Sequence, residues 1–231
     1  MNRIKWIFFD CMETIIDMTE IPGLEDYARW SYLNSGVEYF WNGFSDFFHD
    51  FCAARQAIAV ELPKLKEHEI YYQFKLIAAM KIENNWLIEQ TARKLRDNYW
   101  RLYLARSYVQ EETKGILAYL AGKYRLGVVS NFMYQGGIEE LLKINNIFKY
   151  FSFVITSVNE GWRKPHPTIF KRAIARTGVL PEEILFIGDN YQCDYLGPRE
   201  VGLNVLYYDK NGRKLELAER VESLAGLRLL L

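Results

Sequence analysis

The sequence has no excess of charge of either sign, few cysteines and histidines, and no apolar run long enough to cross a bilayer. Lys plus Arg and Asp plus Glu are both 29, so electrostatics favours neither nucleic acid nor an anionic membrane as partner. The three cysteines, Cys11, Cys52 and Cys193, are odd in number and show no C-x-x-C spacing. They read as reduced thiols of a cytoplasmic protein rather than a disulfide framework or a zinc site. His49, His68 and His166 are scattered without metal-ligand spacing and read as surface or loop residues. The opening MNRIKWIFFD has one short apolar run ending in an acid, without the features of an export signal. No stretch reaches the length of a membrane span. Internal repeats and low-complexity segments are absent, and nothing in the sequence sets an oligomeric state.

What is present is enough apolar material for a sizeable core, 50% of 231 residues, and the length fits one large domain or one domain with a substantial insertion. The run 4–9, interrupted only by Lys5, has no alternation and predicts a strand buried on both faces. From 24 to 106 the pattern turns helical. Leu87, Thr91, Leu95, Asn98 and Leu102 keep helical spacing, and Pro63 and Asn84-Asn85 mark breaks. Helices are predicted over 24–34, 43–60, 67–82 and 86–105. After 107 helices and strands alternate: helix 110–123, strand 125–131, helix 137–143, strand 153–157, helix 168–177, strand 184–188, a helix from about 193, and strand 204–208. That alternation predicts a parallel, Rossmann-like three-layer α/β core over 1–17 and 107–231, with 18–106 as an all-helical cap inserted after the first strand. The leucine-rich stretch 215–231 is expected to close one face of the core.

Four predicted strand ends carry reactive residues: Asp10 with Thr14, Ser130 with Asn131, the Lys164-Pro165-His166-Pro167 loop, and Gly188-Asp189 with Asp194. In open α/β sheets ligands sit beyond the carboxyl ends of the strands. Carboxylates, a lysine and a hydroxyl converging there suit a phosphoryl group and a divalent metal, and Asp is a known nucleophile for phosphorus. All-oxygen ligation with open water positions favours Mg²⁺. Singly, each piece reads as a cap, turn or loop; their order and placement are what carry meaning.

These residues resemble the haloacid dehalogenase-like superfamily, in the subgroup with a helical cap after the first strand. WIFFDCMETIID resembles its first motif, GVVSN its second, NEGWRKPHPTIF its third, and LFIGDNYQCDYLGPREVGL its fourth. The likeness covers about 1–17 and 107–210; in the cap it extends to position and helical character. It implies that Asp10 attacks phosphorus and forms an aspartyl-phosphate, and that Ser130 and the Asn131 backbone N–H hold phosphate oxygens. Thr14 is a further substrate-binding candidate. By the same likeness Lys164 stabilises Asp10 and the phosphoryl group, Asp189 binds Mg²⁺ with Asp10, and Asp194 binds or orients it. A small phosphorylated molecule is the implied substrate.

The chain departs from the pattern at Met12, where the family's phosphatases carry an Asp that protonates the leaving group and activates water. Met12 still offers a backbone carbonyl to the metal but cannot transfer a proton. Dehalogenases of the superfamily also replace that Asp, although they lose the Gly-Asp of the fourth motif, which remains here as Gly188-Asp189. The expected function is therefore Mg²⁺-dependent hydrolysis of a small phosphate ester. The alternatives are displacement at carbon, or a catalytically weak ligand-binding or regulatory protein. Glu13 reads as a residue facing away from the phosphate, and Cys11 as a small buried residue. In the cap, Tyr27, Trp30, Tyr32, Tyr39, Phe40, Trp41, Phe44, Phe47, Phe48 and Phe51 read mainly as core, and Arg29 as a surface cation.

Overall fold

The computed structural model describes residues 4–212 and 214–231; residues 1–3 and 213, within the expected core range, lie outside this description. Two compact units are present. One comprises Met1–Asp17 and Tyr108–Leu231, the other Met18–Ser107.

The first unit begins with β1 (Trp6–Phe9), all four residues buried. The chain leaves it through β2 (Asp17–Met18). In the second unit it forms α1 (Leu24–Tyr32), α2 (Phe44–Glu61), α3 (Ile70–Ala79) and α4 (Asn85–Arg106). It returns through β3 (Ser107–Tyr108), which pairs with β2. Then follow α5 (Glu111–Ala121), β4 (Arg125–Ser130), α6 (Gly137–Ile144), β5 (Phe151–Thr156), α7 (Ser157–Glu160) and α8 (Pro167–Ala175). The last elements are β6 (Ile184–Gly188), a π-helix (Tyr191–Leu196), α9 (Gly197–Arg199), β7 (Asn204–Tyr208), β8 (Arg220–Val221) and α10 (Leu227–Leu230).

The sheet order is β5-β4-β1-β6-β7-β8, with every pairing parallel. The fold is the expected Rossmann-like α/β class. β1 lies at the centre, so its carboxyl end sits where strand order reverses, the usual ligand position in such sheets. Phe9 is in register with Val128 on one side and Ile187 on the other. One face is filled by Trp6, Phe8, Phe186 and Val205 against Ile169, Phe170 and Ala173 of α8. Gly127 makes room there: a Cβ on it would lie 2.5 Å from the Phe153 ring, whose centroid is 5.3 Å from that of Phe8. Among the described residues no helix is long and apolar enough to cross a membrane.

Some expected bounds move. β5 begins and ends earlier than 153–157, because Ser157 leaves the ladder and its Oγ accepts the Phe132 N–H at 2.9 Å. The helix expected from about 193 is a π-helix starting at Tyr191, capped by Asn190, whose Oδ1 accepts the Cys193 N–H at 3.0 Å. The leucine-rich tail also supplies β8, an edge strand with a single buried residue, Val221, too short to leave a periodic signal.

Within the second unit, the Asn84 side chain caps α4 through the Leu87 N–H at 2.9 Å. Asn98 then donates to the carbonyls of Trp30 and Leu33 at 2.9 and 2.8 Å, satisfying the C-terminus of α1. Much of the aromatic set packs together here: Tyr32, Trp41, Phe47 and Phe51 are buried, and the Tyr32 and Trp41 rings lie 4.8 and 5.0 Å from Phe47. Tyr39, by contrast, is exposed. Arg29 is an exposed cation, paired with Glu25 and lying 4.1 Å from the Phe44 ring centroid.

Candidate active site

Asp10 directly follows β1, and its N–H bonds the Ile187 carbonyl of β6 at 2.9 Å. The backbone therefore stays in the sheet up to the residue that presents the carboxylate. Lys164 approaches from the loop before α8, almost fully buried. Its Nζ donates to Asp10 Oδ1 at 2.7 Å and to Asp194 Oδ1 at 2.6 Å. Asp194 lies on the π-helix after β6, and its Oδ2 accepts the Asn190 N–H at 3.0 Å. Asp189, half-buried just beyond β6, is joined to the group through Thr14, whose hydroxyl lies 3.4 Å from Asp189 Oδ1 and 3.5 Å from Asp10 Oδ2. Gly188 permits this convergence: a Cβ on it would lie 2.6 Å from Asp194 Cβ and Cγ.

Three carboxylates thus gather around one ammonium, two of them in direct contact with it. Burial, followed by repulsion from Asp10, pushes Asp189 up to about 6. Burial pushes Asp194 up to about 7, against the opposing pull of Lys164. Burial alone would lower the Lys164 value, but Asp10 and Asp194 outweigh it and hold the ammonium above its ordinary range. Oxygens of Asp10, Asp189 and Asp194 all lie within 4.8 Å of one another. Hard oxygen donors in negative excess are a donor set that could hold a divalent cation of the magnesium or calcium kind.

Ser130 ends β4 beside Thr156 of β5. Its hydroxyl is buried and has no hydrogen-bond partner among the described residues. Such an orphan costs about 1–3 kcal/mol unless a ligand or water completes it. Asn131 has a role the sequence did not suggest. Its Nδ2 donates to the Lys164 carbonyl at 3.0 Å and its Oδ1 accepts the Lys164 N–H at 2.6 Å, so its side chain clamps the lysine backbone. The Cys193 thiol adds a contact to the same carbonyl at 3.4 Å. Burial and the nearby Asp194 push that thiol up to about 11, away from thiolate chemistry. Cys11 is buried and its thiol is likewise raised by burial.

Met12, half-buried, sits in a tight loop in which the N–H groups of Ile15 and Ile16 bond the Cys11 carbonyl at 2.8 and 2.9 Å. Glu13 has φ +59°, a left-handed conformation that costs an L-residue roughly 1–2 kcal/mol. His166 is more ordered than a plain loop residue: its Nδ1 accepts the Thr168 N–H at 3.3 Å, capping α8, and its ring stacks on Trp162 with centroids 4.0 Å apart.

A parallel sheet with carboxylates and a buried lysine at the carboxyl end of its central strand is the layout of an α/β enzyme. Residues 4–202 match the haloacid dehalogenase-like hydrolase family, and the chain belongs to that family. Among its relatives is a glyceraldehyde 3-phosphate phosphatase from Pyrococcus furiosus, 28% identical over 94% of this chain and 85% of the relative. The human haloacid dehalogenase-like hydrolase domain-containing protein 3 is 42% identical over 80 residues, 35% of this chain and only 31% of that protein. The fold is similar to a 2-haloacid dehalogenase from Pseudomonas syringae pv. Tomato DC3000 (TM-score 0.81, 20% identity, 98% of this chain and 97% of that one). It is also similar to a HAD phosphatase from Thermococcus onnurineus (TM-score 0.69, 23% identity, 98% and 97%).

Proposed function

We propose that this hydrolase cleaves a small phosphate monoester through an aspartyl-phosphate on Asp10, with Mg²⁺ held by Asp10, Asp189, Asp194 and the Met12 carbonyl. The observation that carries the reading is the Lys164 ammonium held between Asp10 and Asp194, with Asp189 and the unsatisfied Ser130 hydroxyl at the same strand ends. The phosphatase relative from Pyrococcus furiosus, alignable over most of both chains, supports it.

Lys164 fixes one Asp10 oxygen and lowers the cost of bringing a phosphate dianion to a carboxylate. The other oxygen attacks phosphorus, the P–O bond to the ester oxygen breaks, and the alkoxide leaves with the electron pair and takes its proton from solvent water. Ser130 Oγ and the Asn131 N–H hold the equatorial oxygens. Mg²⁺, when bound, supplies charge neutralisation for the transferring group. Water then attacks phosphorus and the Asp10 carboxylate departs. Met12 can neither protonate the leaving group nor take a proton from that water, so both half-reactions run without the usual acid–base assistance, worth about 10²–10⁴-fold.

That absence is also what favours the second reading, displacement at carbon, in which a halide leaves without a proton. Turnover of p-nitrophenyl phosphate, of a panel of phosphorylated metabolites and of 2-haloacids, with Mg²⁺ and with EDTA, separates the two. Metal-dependent release of nitrophenolate supports the phosphatase. Halide release insensitive to EDTA, with no phosphatase turnover, replaces it.

A further inference from the structure

Outside the residues already assigned, one titratable cluster stands at the base of the segment 11–17. Asp17 is a buried carboxylate. Its Oδ2 accepts Gln110 Nε2 at 2.6 Å, and its Oδ1 accepts the Lys210 ammonium. Lys210 lies two residues beyond β7, and its Nζ also stands 3.6 Å from Glu13 Oε2. One ammonium therefore ties together the end of the segment and its tip.

The tip is where the backbone departs from ordinary geometry. Glu13 is a non-glycine residue at φ +59°, and its N–H bonds the Ile16 carbonyl at 2.7 Å. Residues in such conformations persist where their surroundings over-determine them. Met12 precedes the turned residue, and Thr14, whose hydroxyl reaches Asp10 and Asp189, follows it. If Glu13 relaxed to negative φ, both neighbours would be redirected.

We infer that Lys210 is a positioning residue, holding Glu13 in its left-handed turn so that Met12 and Thr14 keep their places beside Asp10 and Asp189. Its catalytic consequence rests on the phosphatase reading; its structural consequence does not. Lys210 touches neither Asp10 nor Lys164 in the described contacts, so its effect is exerted through the loop.

Lys210→Met also strips Asp17 of a charged partner, so the comparison is made in an Asp17→Asn protein, where no buried charge is left behind. There, Lys210→Met is expected to lower kcat on p-nitrophenyl phosphate about tenfold, the scale of sub-ångström misplacement, with KM within about twofold. Amides of residues 11–16 should exchange hydrogen faster. Lys210→Arg should retain both properties. Adding Glu13→Gly to Lys210→Met should restore kcat to within about threefold, because glycine adopts the turn without being held. Failure of Glu13→Gly to restore kcat, or unchanged exchange in the Lys210→Met protein, overturns the proposal. If the parent protein does not turn over the aryl phosphate at all, the phosphatase reading falls, and the exchange comparison alone decides the role of Lys210.

Discussion

Gly188→Ala tests whether the site depends on the close approach of the π-helix to the end of β6. The added Cβ would lie 2.6 Å from Asp194 Cβ and Cγ and 2.7 Å from its Oδ2, about 0.7–0.8 Å short of the 3.4 Å at which ordinary contact begins. Asp194 has little freedom to yield. Its N–H bonds the Asn190 carbonyl at 2.7 Å, and its two carboxylate oxygens are taken by Lys164 and the Asn190 N–H. A retreat of that size stretches the 2.6 Å contact with Lys164 beyond a good hydrogen bond. Overpacking of this kind costs about 1–3 kcal/mol, and a weakened buried ion pair adds to it. Misplacement approaching 1 Å costs on the order of 10²-fold in rate.

The assay pairs urea unfolding with turnover of p-nitrophenyl phosphate. Gly115→Ala is the matched control, since it lies within α5 and a Cβ there meets nothing within 4 Å. That change should leave turnover alone and stabilise the protein by up to about 1 kcal/mol, the helix-propensity difference. A Gly188→Ala protein with parental stability and turnover would refute the claim that glycine is required for the approach of Asp194 to Lys164.

Asp10→Asn should abolish turnover while preserving the circular dichroism spectrum, because the attacking oxygen is lost and the volume is kept; turnover by the pure variant would remove Asp10 as nucleophile. Met12→Asp should raise turnover of alkyl phosphates by up to roughly 10²-fold and of p-nitrophenyl phosphate far less, since only the alkoxide needs a proton. Slower alkyl turnover in a well-folded variant would point to chemistry other than phosphate hydrolysis. In EDTA, stability should fall as pH rises. Asp189 and Asp194 have folded values of about 6 and about 7 against an ordinary 3.8, so the folded state binds more protons across this interval. That contribution is complete below the unfolded value and lost as pH passes through the folded ones, on the order of 4 kcal/mol between pH 5 and 7.5. Saturating Mg²⁺ should flatten the trend in thermal unfolding, and a decline equally steep with Mg²⁺ would move the metal elsewhere.

The parts of this molecule legible in its sequence are those with a local signature. The strands β1, β4, β6 and β7 could be read because burial on both faces leaves unbroken apolar runs, and Asp10, Ser130 and Asp189 stand out because they interrupt such runs where the sheet ends. The supports around them have no comparable mark. The amide clamp of Asn131 on Lys164 spans 33 residues, the bond from Lys210 to Asp17 spans 193, and in each case a residue suited to an ordinary loop acquires its role from a distant partner. His166 resembles a loose loop residue until α8 is seen to begin on it. The same holds for the charge of the site. Acidic and basic residues balance over the whole chain, so no count of charges predicts a centre where three carboxylates face one lysine. The imbalance exists only because the fold brings these four groups together at the strand ends. A site's capacity to hold a cation is therefore a property of the assembled strand ends, which a balanced overall composition neither predicts nor opposes.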